Sequence, residues 1–288
     1  MEMIDLSRLE PQETLNHTSK GNQLKWKCDG YWYKADHMGY EGLAETIVSA
    51  MLAKSTIKYP FVVYEYSQIK YKDRVYSGCK SADFLAGGYD LIPLEKLYRK
   101  FTGGSLAVDT AHQGEIKNQI KFLVNFVEQT TRLQNFGQYL TSMLEIDAFF
   151  LNEDRHTNNI AVQYNAADNT YALCPLFDNG LSLLADTNMD FPLERSLEDC
   201  LKTVEAKPFS RYFDEQLDAA EELYGIQLHF NFSTNDVKAL IDSYRTAYSQ
   251  EICDRCEALI RRQMRHYGYL VKSVSYTHLR AHETDQYL

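Results

Sequence analysis

The chain predicts an α+β fold, with a small β-rich N-terminal part and a larger, mainly helical C-terminal part. Three observations carry this expectation. Short runs rich in aromatic and β-branched residues, separated by turn signals, occupy the chain up to about residue 85. Long apolar segments without internal proline dominate from Leu91 onward. A single predicted hairpin over residues 160–176 interrupts those helices. At 288 residues the chain is long enough for one large domain or two lobes, each with its own core.

In chain order, residues 24–28 and 31–35 are predicted strands flanking Asp29-Gly30, a strong two-residue hairpin turn. From Gly42 to Leu52 the apolar residues Leu43, Ile47, Val48, Met51 and Leu52 recur at helical spacing, which predicts an amphipathic helix. Tyr59 to Gln68 reads as a strand, and Arg74 to Cys79 is expected to pair with it. Residues 118–133 and 136–150 are predicted helices. Ile160–Tyr164 and Tyr171–Leu176 form the second hairpin, and residues 212–225 and 235–267 are helical again. Ser233 or Thr234 can cap the last helix, with Asp236 in its first turn. The two parts are expected to meet near residues 85–92, giving units of 1–88 and 89–273.

Composition narrows the function classes. The apolar fraction of 44% and charged fraction of 24% are those of an ordinary globular protein. A net charge of −10 argues against nucleic acid or an anionic membrane as the main partner. No stretch is long and apolar enough for a transmembrane helix, and the acidic start lacks the pattern of a secretory signal. The expectation is a cytoplasmic protein without a membrane span and without direct nucleic-acid binding.

The six cysteines are scattered, which does not suggest a disulfide framework. Cys253-Asp-Arg-Cys256 lacks a second pair to complete a zinc site, so two helix residues three apart is the preferred reading. The segment from Val274 to Thr284 resembles the translation of a transposase adapter used in sequencing libraries. Residues 274–288 are therefore excluded from fold reasoning as a non-native tail, and the authentic C-terminus is expected beyond Ser273.

The chemistry concentrates in Asn152-Glu-Asp154-Arg-His156-Thr-Asn-Asn159-Ile160, read with Phe177-Asp178-Asn179-Gly180. Phosphoryl transfer needs a carboxylate to accept a hydroxyl proton, oxygen ligands to hold Mg2+ and a lysine on the phosphates. Asp154 can be the base, the Asn159 side-chain oxygen one metal ligand and Asp178 the anionic one. One strand of the hairpin leaves after Asn159 and the other arrives just before Asp178. Strand pairing at about 4.8 Å would bring these ends side by side.

Asp154-x-His156-x-x-Asn159 followed by an Asp at the next strand's end resembles the HipA-like bacterial serine/threonine kinases. Asp154-Arg-His-x-x-Asn-Ile160 is also similar to the catalytic loop of phosphatidylinositol 3- and 4-kinases, a related atypical group. The resemblance implies a two-lobed protein-kinase-like fold, with a nucleotide-binding lobe over 1–88 and a helical catalytic lobe over 89–273. It implies Asp154 as catalytic base, with His156 bracing the loop more readily than doing chemistry, and Asn159 and Asp178 as Mg2+ ligands. Thr18-Ser19-Lys20-Gly21-Asn22-Gln23-Leu24-Lys25 resembles the Gly-x-Gln-x-Lys phosphate-loop region of that family, although an ordinary turn has the same composition. Lys34 matches the position of the nucleotide lysine, against the plain alternative of an edge-strand lysine facing solvent. Glu45 matches its acidic partner, with Glu41 as a rival. Cys79 to Phe84 falls where an adenine-contacting hinge would lie.

There are departures. The glycine-rich loop, His-Arg-Asp triplet and Ala-Pro-Glu element of ordinary protein kinases are absent, and the Asp-Phe-Gly element reads Asp178-Asn179-Gly180. The implied function is ATP- and Mg2+-dependent phosphorylation of a protein serine or threonine. Thr18 and Ser19 would be autophosphorylation sites, and a small DNA-binding antitoxin-like protein would be the partner. A phosphatidylinositol-type lipid kinase is the second reading, and a nucleotide-binding pseudokinase acting as a toxin-like regulatory partner the third.

Overall fold

The computed structural model describes residues 3–12, 23–85 and 87–272. Thr18, Ser19, Lys20, Gly21 and Asn22 of the expected phosphate loop and the 274–288 tail lie outside the described residues.

Strands β1 (Met3–Asp5), β2 (Lys25–Cys28), β3 (Tyr31–Ala35), β4 (Tyr64–Tyr71) and β5 (Arg74–Ala82) form one sheet in the order β1-β4-β5-β3-β2. Every pairing is antiparallel except β1 with β4. Asp29 and Gly30 both take positive φ, +49° and +80°, as a two-residue hairpin with right-handed strand twist requires. Register sets Lys25 opposite Lys34 and Trp26 opposite Tyr33. Strand alternation therefore places the two lysines on one face and the two aromatics on the other. Leu6, Trp26, Tyr33, Ile69 and Tyr71 form a small apolar core on that second face.

Helix α1 (Glu41–Leu52) follows β3. Its expected apolar face is present: Leu43, Ile47, Val48, Met51 and Leu52 join the main core. The helix is not amphipathic in its surroundings, however, because 11 of its 12 residues are buried. Its polar side lies against the sheet, where Ser49 Oγ exchanges hydrogen bonds with the Tyr64 backbone. The approach is close because two glycines meet. A Cβ on Gly42 would lie 2.5 Å from Gly78 C, and one on Gly78 would lie 2.1 Å from the Lys34 carbonyl oxygen.

A second sheet has the order β6 (Tyr89–Pro93), β7 (Ala161–Asn165), β8 (Thr170–Leu173), all antiparallel. Around it stand α2 (Leu94–Thr102), α3 (Leu106–Ala111), α4 (Ile116–Thr131), α5 (Phe136–Phe150), α6 (Leu197–Leu201), α7 (Phe213–Tyr224), α8 (Thr234–Asp242) and α9 (Gln250–His266). Helix α5 packs against α4, α7 and α9 and is buried along almost its whole length, and its buried polar residues Thr141, Ser142, Glu145 and Asp147 all have hydrogen-bond partners. One continuous core runs from α1 through these helices.

Several boundaries differ from the sequence expectation. Helical character does not begin at Leu91, because residues 89–93 extend the second hairpin as β6 and use Pro93 only at the strand's end. The strand expected from Tyr59 begins at Tyr64, since Pro60 and Phe61 instead bridge to Leu176. Leu176 likewise falls outside β8. The predicted 235–267 helix is two, with Ser233 closing a capping box on Asp236 and Ser249 capping α9. Cys253 and Cys256 are buried free thiols on α9. Among the described residues, no helix is long and apolar enough to cross a membrane.

Candidate active site

Helix α5 delivers the loop. It ends at Leu151, whose left-handed backbone (φ +56°) turns the chain out of the helix, and Asn152 N–H donates back to the Asp147 carbonyl at 2.9 Å. Asn152 Oδ1 then accepts from Asp154 N–H at 3.2 Å, a local turn that fixes the start of the loop.

Arg155 holds the rest of the loop in place. Its side chain is only 2% exposed. It donates to both Asp147 oxygens at 2.8 and 3.0 Å, to the Asn159 and Phe177 carbonyls at 3.2 and 2.9 Å, and to Asn179 Oδ1 at 3.0 Å. One guanidinium nitrogen thus ties the end of the 152–159 loop to the residue before Asp178. Asn152 Nδ2 adds a bond to the Asp178 carbonyl at 3.4 Å. Burial alone would depress the Arg155 pKa, but the Asp147 carboxylate overrules it and holds the guanidinium charged.

Within the loop, Asn159 Nδ2 donates to the Asp154 carbonyl at 2.7 Å and to Asp154 Oδ2 at 3.2 Å. The amide nitrogen therefore faces Asp154, which turns the amide oxygen away from it. His156 Nε2 lies 3.7 Å from Asp154 Oδ2, and its Nδ1 is buried with no hydrogen-bond partner among the described residues. Thr157 Oγ1 donates to Glu95 at 3.0 Å, and Glu95 also accepts from the backbone N–H groups of Leu106 and Ala107. The loop is thereby fixed from both α5 and α2.

The sheet supplies a cation. Lys34 Nζ donates to Glu45 Oε1 at 2.6 Å and to Asp178 Oδ1 and Tyr64 Oη, both at 3.3 Å. Lys34 and Asp178 stand 144 positions apart in the chain. Glu45 Oε2 accepts from Asn179 N–H at 2.9 Å, so one carboxylate holds the lysine and the segment after Asp178 together. Burial would lower the Lys34 pKa, but Glu45 and Asp178 beside it hold it above the ordinary lysine value. Burial likewise works against an ionised Asp178, yet Lys34, Lys25 and Arg155 together keep its carboxyl below the usual range.

The structure thus brings Lys34, Glu45 and Asp178 into direct contact, and Asp154, His156 and Asn159 into another group joined to the first through Arg155. Of the rivals for the lysine partner, Glu41 is engaged otherwise. It accepts from the backbone N–H groups of His37, Met38 and Gly39 at the start of its own helix. Gln23, partly buried, lies just before β2. Sequence reasoning overlooked Asp147 and Arg155, because a helix aspartate and a loop arginine look solvated until their pairing is seen. Lys25, the lysine that ends the expected phosphate-loop stretch, has Lys34 as its register partner. Burial first, and the neighbouring Lys34 charge, depress the Lys25 pKa, with Asp178 opposing.

No protein-family model matches this chain, and no curated protein resembles it in sequence. Among solved structures it is similar to the crystal structure of a Helicobacter pylori proinflammatory kinase, CtkA. The match covers 92% of this chain and 94% of that one, with a TM-score of 0.58 and 14% identity. The fold is therefore kinase-like.

Proposed function

We propose that this chain is an ATP- and Mg2+-dependent kinase that phosphorylates a serine or threonine of a protein. The observation that carries the reading is the convergence at Asp178. A sheet lysine meets it through Lys34, and a loop bearing Asp154 and Asn159 is tied to its backbone through Arg155. In this reading the five-stranded sheet with α1 is the nucleotide-binding lobe, residues 1–88, and residues 89–273 form the catalytic lobe. The small apolar cluster of Val62, Tyr64 and Cys79, with Phe84 and Phe177 against it, would seat the adenine.

Lys34, oriented by Glu45, binds the nucleotide phosphates, with Lys25 beside it. Asp154 orients the acceptor hydroxyl and takes its proton as the hydroxyl oxygen bonds to the γ-phosphorus and the bond to the β-phosphate oxygen breaks. His156 braces Asp154. The donor set of Asn159 and Asp178 is one amide oxygen and one carboxylate, hard ligands that suit a Mg2+ retaining several waters and phosphate oxygens. Bound there, Mg2+ would supply charge neutralisation on the phosphates.

The test is an assay with γ-labelled ATP and Mg2+, offering dephosphorylated casein in one arm and phosphatidylinositol vesicles in the other. Label on serine or threonine of the protein is expected. Label on lipid alone would move the assignment to a lipid kinase, and nucleotide binding without transfer would leave a pseudokinase.

A further inference from the structure

The second oxygen of Asp154 is engaged by a residue from far downstream. Lys207 Nζ donates to Asp154 Oδ1 at 3.2 Å, across 53 positions of chain. This oxygen is the one that Asn159 leaves free, since Asn159 bonds Oδ2. The carboxylate is therefore held from two sides, by an amide of its own loop and by an ammonium from the segment between α6 and α7.

That segment is built to present the lysine. Gln216, fully buried on α7, donates to the Lys207 carbonyl at 3.0 Å and accepts from Phe209 N–H at 3.3 Å. Ala206 N–H donates to the Arg211 carbonyl at 2.9 Å, closing the loop on itself. The backbone of Lys207 is fixed from the interior while its side chain stays 42% exposed. An ion pair this open to water adds little stability, so stability does not explain the arrangement.

Position suggests the explanation. Lys207 helps line a cavity of about 290 Å3 together with Glu153, Phe191, Arg195, Thr203 and Glu205. Glu153 precedes Asp154 in the chain and Lys207 bonds its Oδ1, so this cavity adjoins the loop that carries the carboxylate. Lys34 and Lys25 approach the site from the sheet, whereas Lys207 approaches from this other side. A hydroxyl presented to Asp154 through the cavity would pass the Lys207 ammonium.

We propose that Lys207 is the acceptor-side cation of the site, contacting the transferring phosphoryl group while it holds Asp154 in place, and that the cavity beside it seats the acceptor side chain. The inference rests on the kinase reading above. In the transfer, the acceptor oxygen bonds to phosphorus, the bond to the nucleoside diphosphate breaks and the hydroxyl proton goes to Asp154. Lys207 keeps all its protons and contributes charge alone. A fixed donor aimed at charge that moves during reaction is worth about 10²-fold to 10³-fold in rate.

The experiment compares wild type, Lys207→Met, Lys207→Arg and Lys34→Ala in single-turnover transfer from γ-labelled ATP with Mg2+ to dephosphorylated casein, with nucleotide affinity and thermal midpoint measured alongside. Lys207→Met should lower the rate at saturating ATP about 10²-fold, while nucleotide affinity and thermal midpoint stay near wild type. Lys207→Arg should recover much of the rate, and Lys34→Ala should instead weaken nucleotide binding. A Lys207→Met chain that turns over at the wild-type rate, loses only nucleotide affinity or gains nothing from the arginine variant would overturn the inference. A wild-type chain that binds ATP and transfers nothing sinks the kinase reading itself, before any variant is compared.

Discussion

Arg155 and Asp147 form a bidentate pair in the protein interior, at 2.8 and 3.0 Å, with side chains 2% and 0% exposed. The pair joins the last turns of α5 to the loop that carries Asp154, and the same guanidinium reaches the carbonyl before Asp178. Removing Arg155 would strand a buried carboxylate and free two segments of the site at once. Breaking such a pair costs about 3–5 kcal/mol. Arg155→Ala should therefore lower the thermal midpoint strongly, as read by calorimetry. Arg155→Lys should rescue little, because an ammonium lacks the planar fork that serves five bonds here. A lysine variant of wild-type stability would contradict the clamp.

The contact of Gly42 with Gly78 sets the distance between α1 and the sheet, and with it the Lys34–Glu45 bond. In Gly42→Ala the new methyl would meet the Gly78 backbone at 2.5 Å, so α1 or β5 must move. Overpacking of this kind costs about 1–3 kcal/mol. The expected result is a weaker nucleotide dissociation constant accompanying the lost stability, measured by titration calorimetry at a temperature where the variant is folded. Unchanged nucleotide affinity would show that the lysine does not depend on this approach.

Two carboxyls, the half-buried Asp36 and the buried Glu145, give the chain a pH dependence of defined sign. Asp36 donates nothing when ionised and accepts from Gly42 N–H and Tyr248 Oη. Burial first, then the nearby Glu41 charge, push its pKa up from 3.8 to about 7. Burial pushes Glu145 from 4.5 to about 8. Below about pH 4 both folded and unfolded chains hold these protons, so nothing is gained or lost. Between there and pH 7–8 the unfolded chain releases them while the folded chain retains them, and stability falls as pH rises. Asp36→Asn keeps an acceptor for Gly42 and removes the charge. Its thermal midpoint should exceed that of wild type by more at pH 8 than at pH 5, by an increment of a few °C. An increment of zero or opposite sign would show that Asp36 is ionised in the folded chain.

Much of the frame was legible because it is local. The Asp29-Gly30 turn dictates its hairpin through backbone sterics, and α5 was read to its observed ends because Asn152 and the polar loop cut off a mainly apolar run free of proline. The pairing of Asp154 with Asn159 stems from their spacing in one loop. What escaped depends on distant partners. Strand β6 is five residues long and is defined by β7, which lies some seventy positions on. The break after Asp242 contains neither proline nor glycine, so only packing reveals it. Arg155 and Lys207 look like surface cations in the sequence, and each acquires meaning from a residue that another element brings to it.

The central claim, that Asp154 accepts the proton in phosphoryl transfer, is tested most directly by Asp154→Ala. The rate of label transfer from γ-labelled ATP to a protein acceptor should fall about 10²-fold to 10⁴-fold, with nucleotide affinity and thermal midpoint close to wild type. Transfer at the wild-type rate by a folded Asp154→Ala chain would contradict that role.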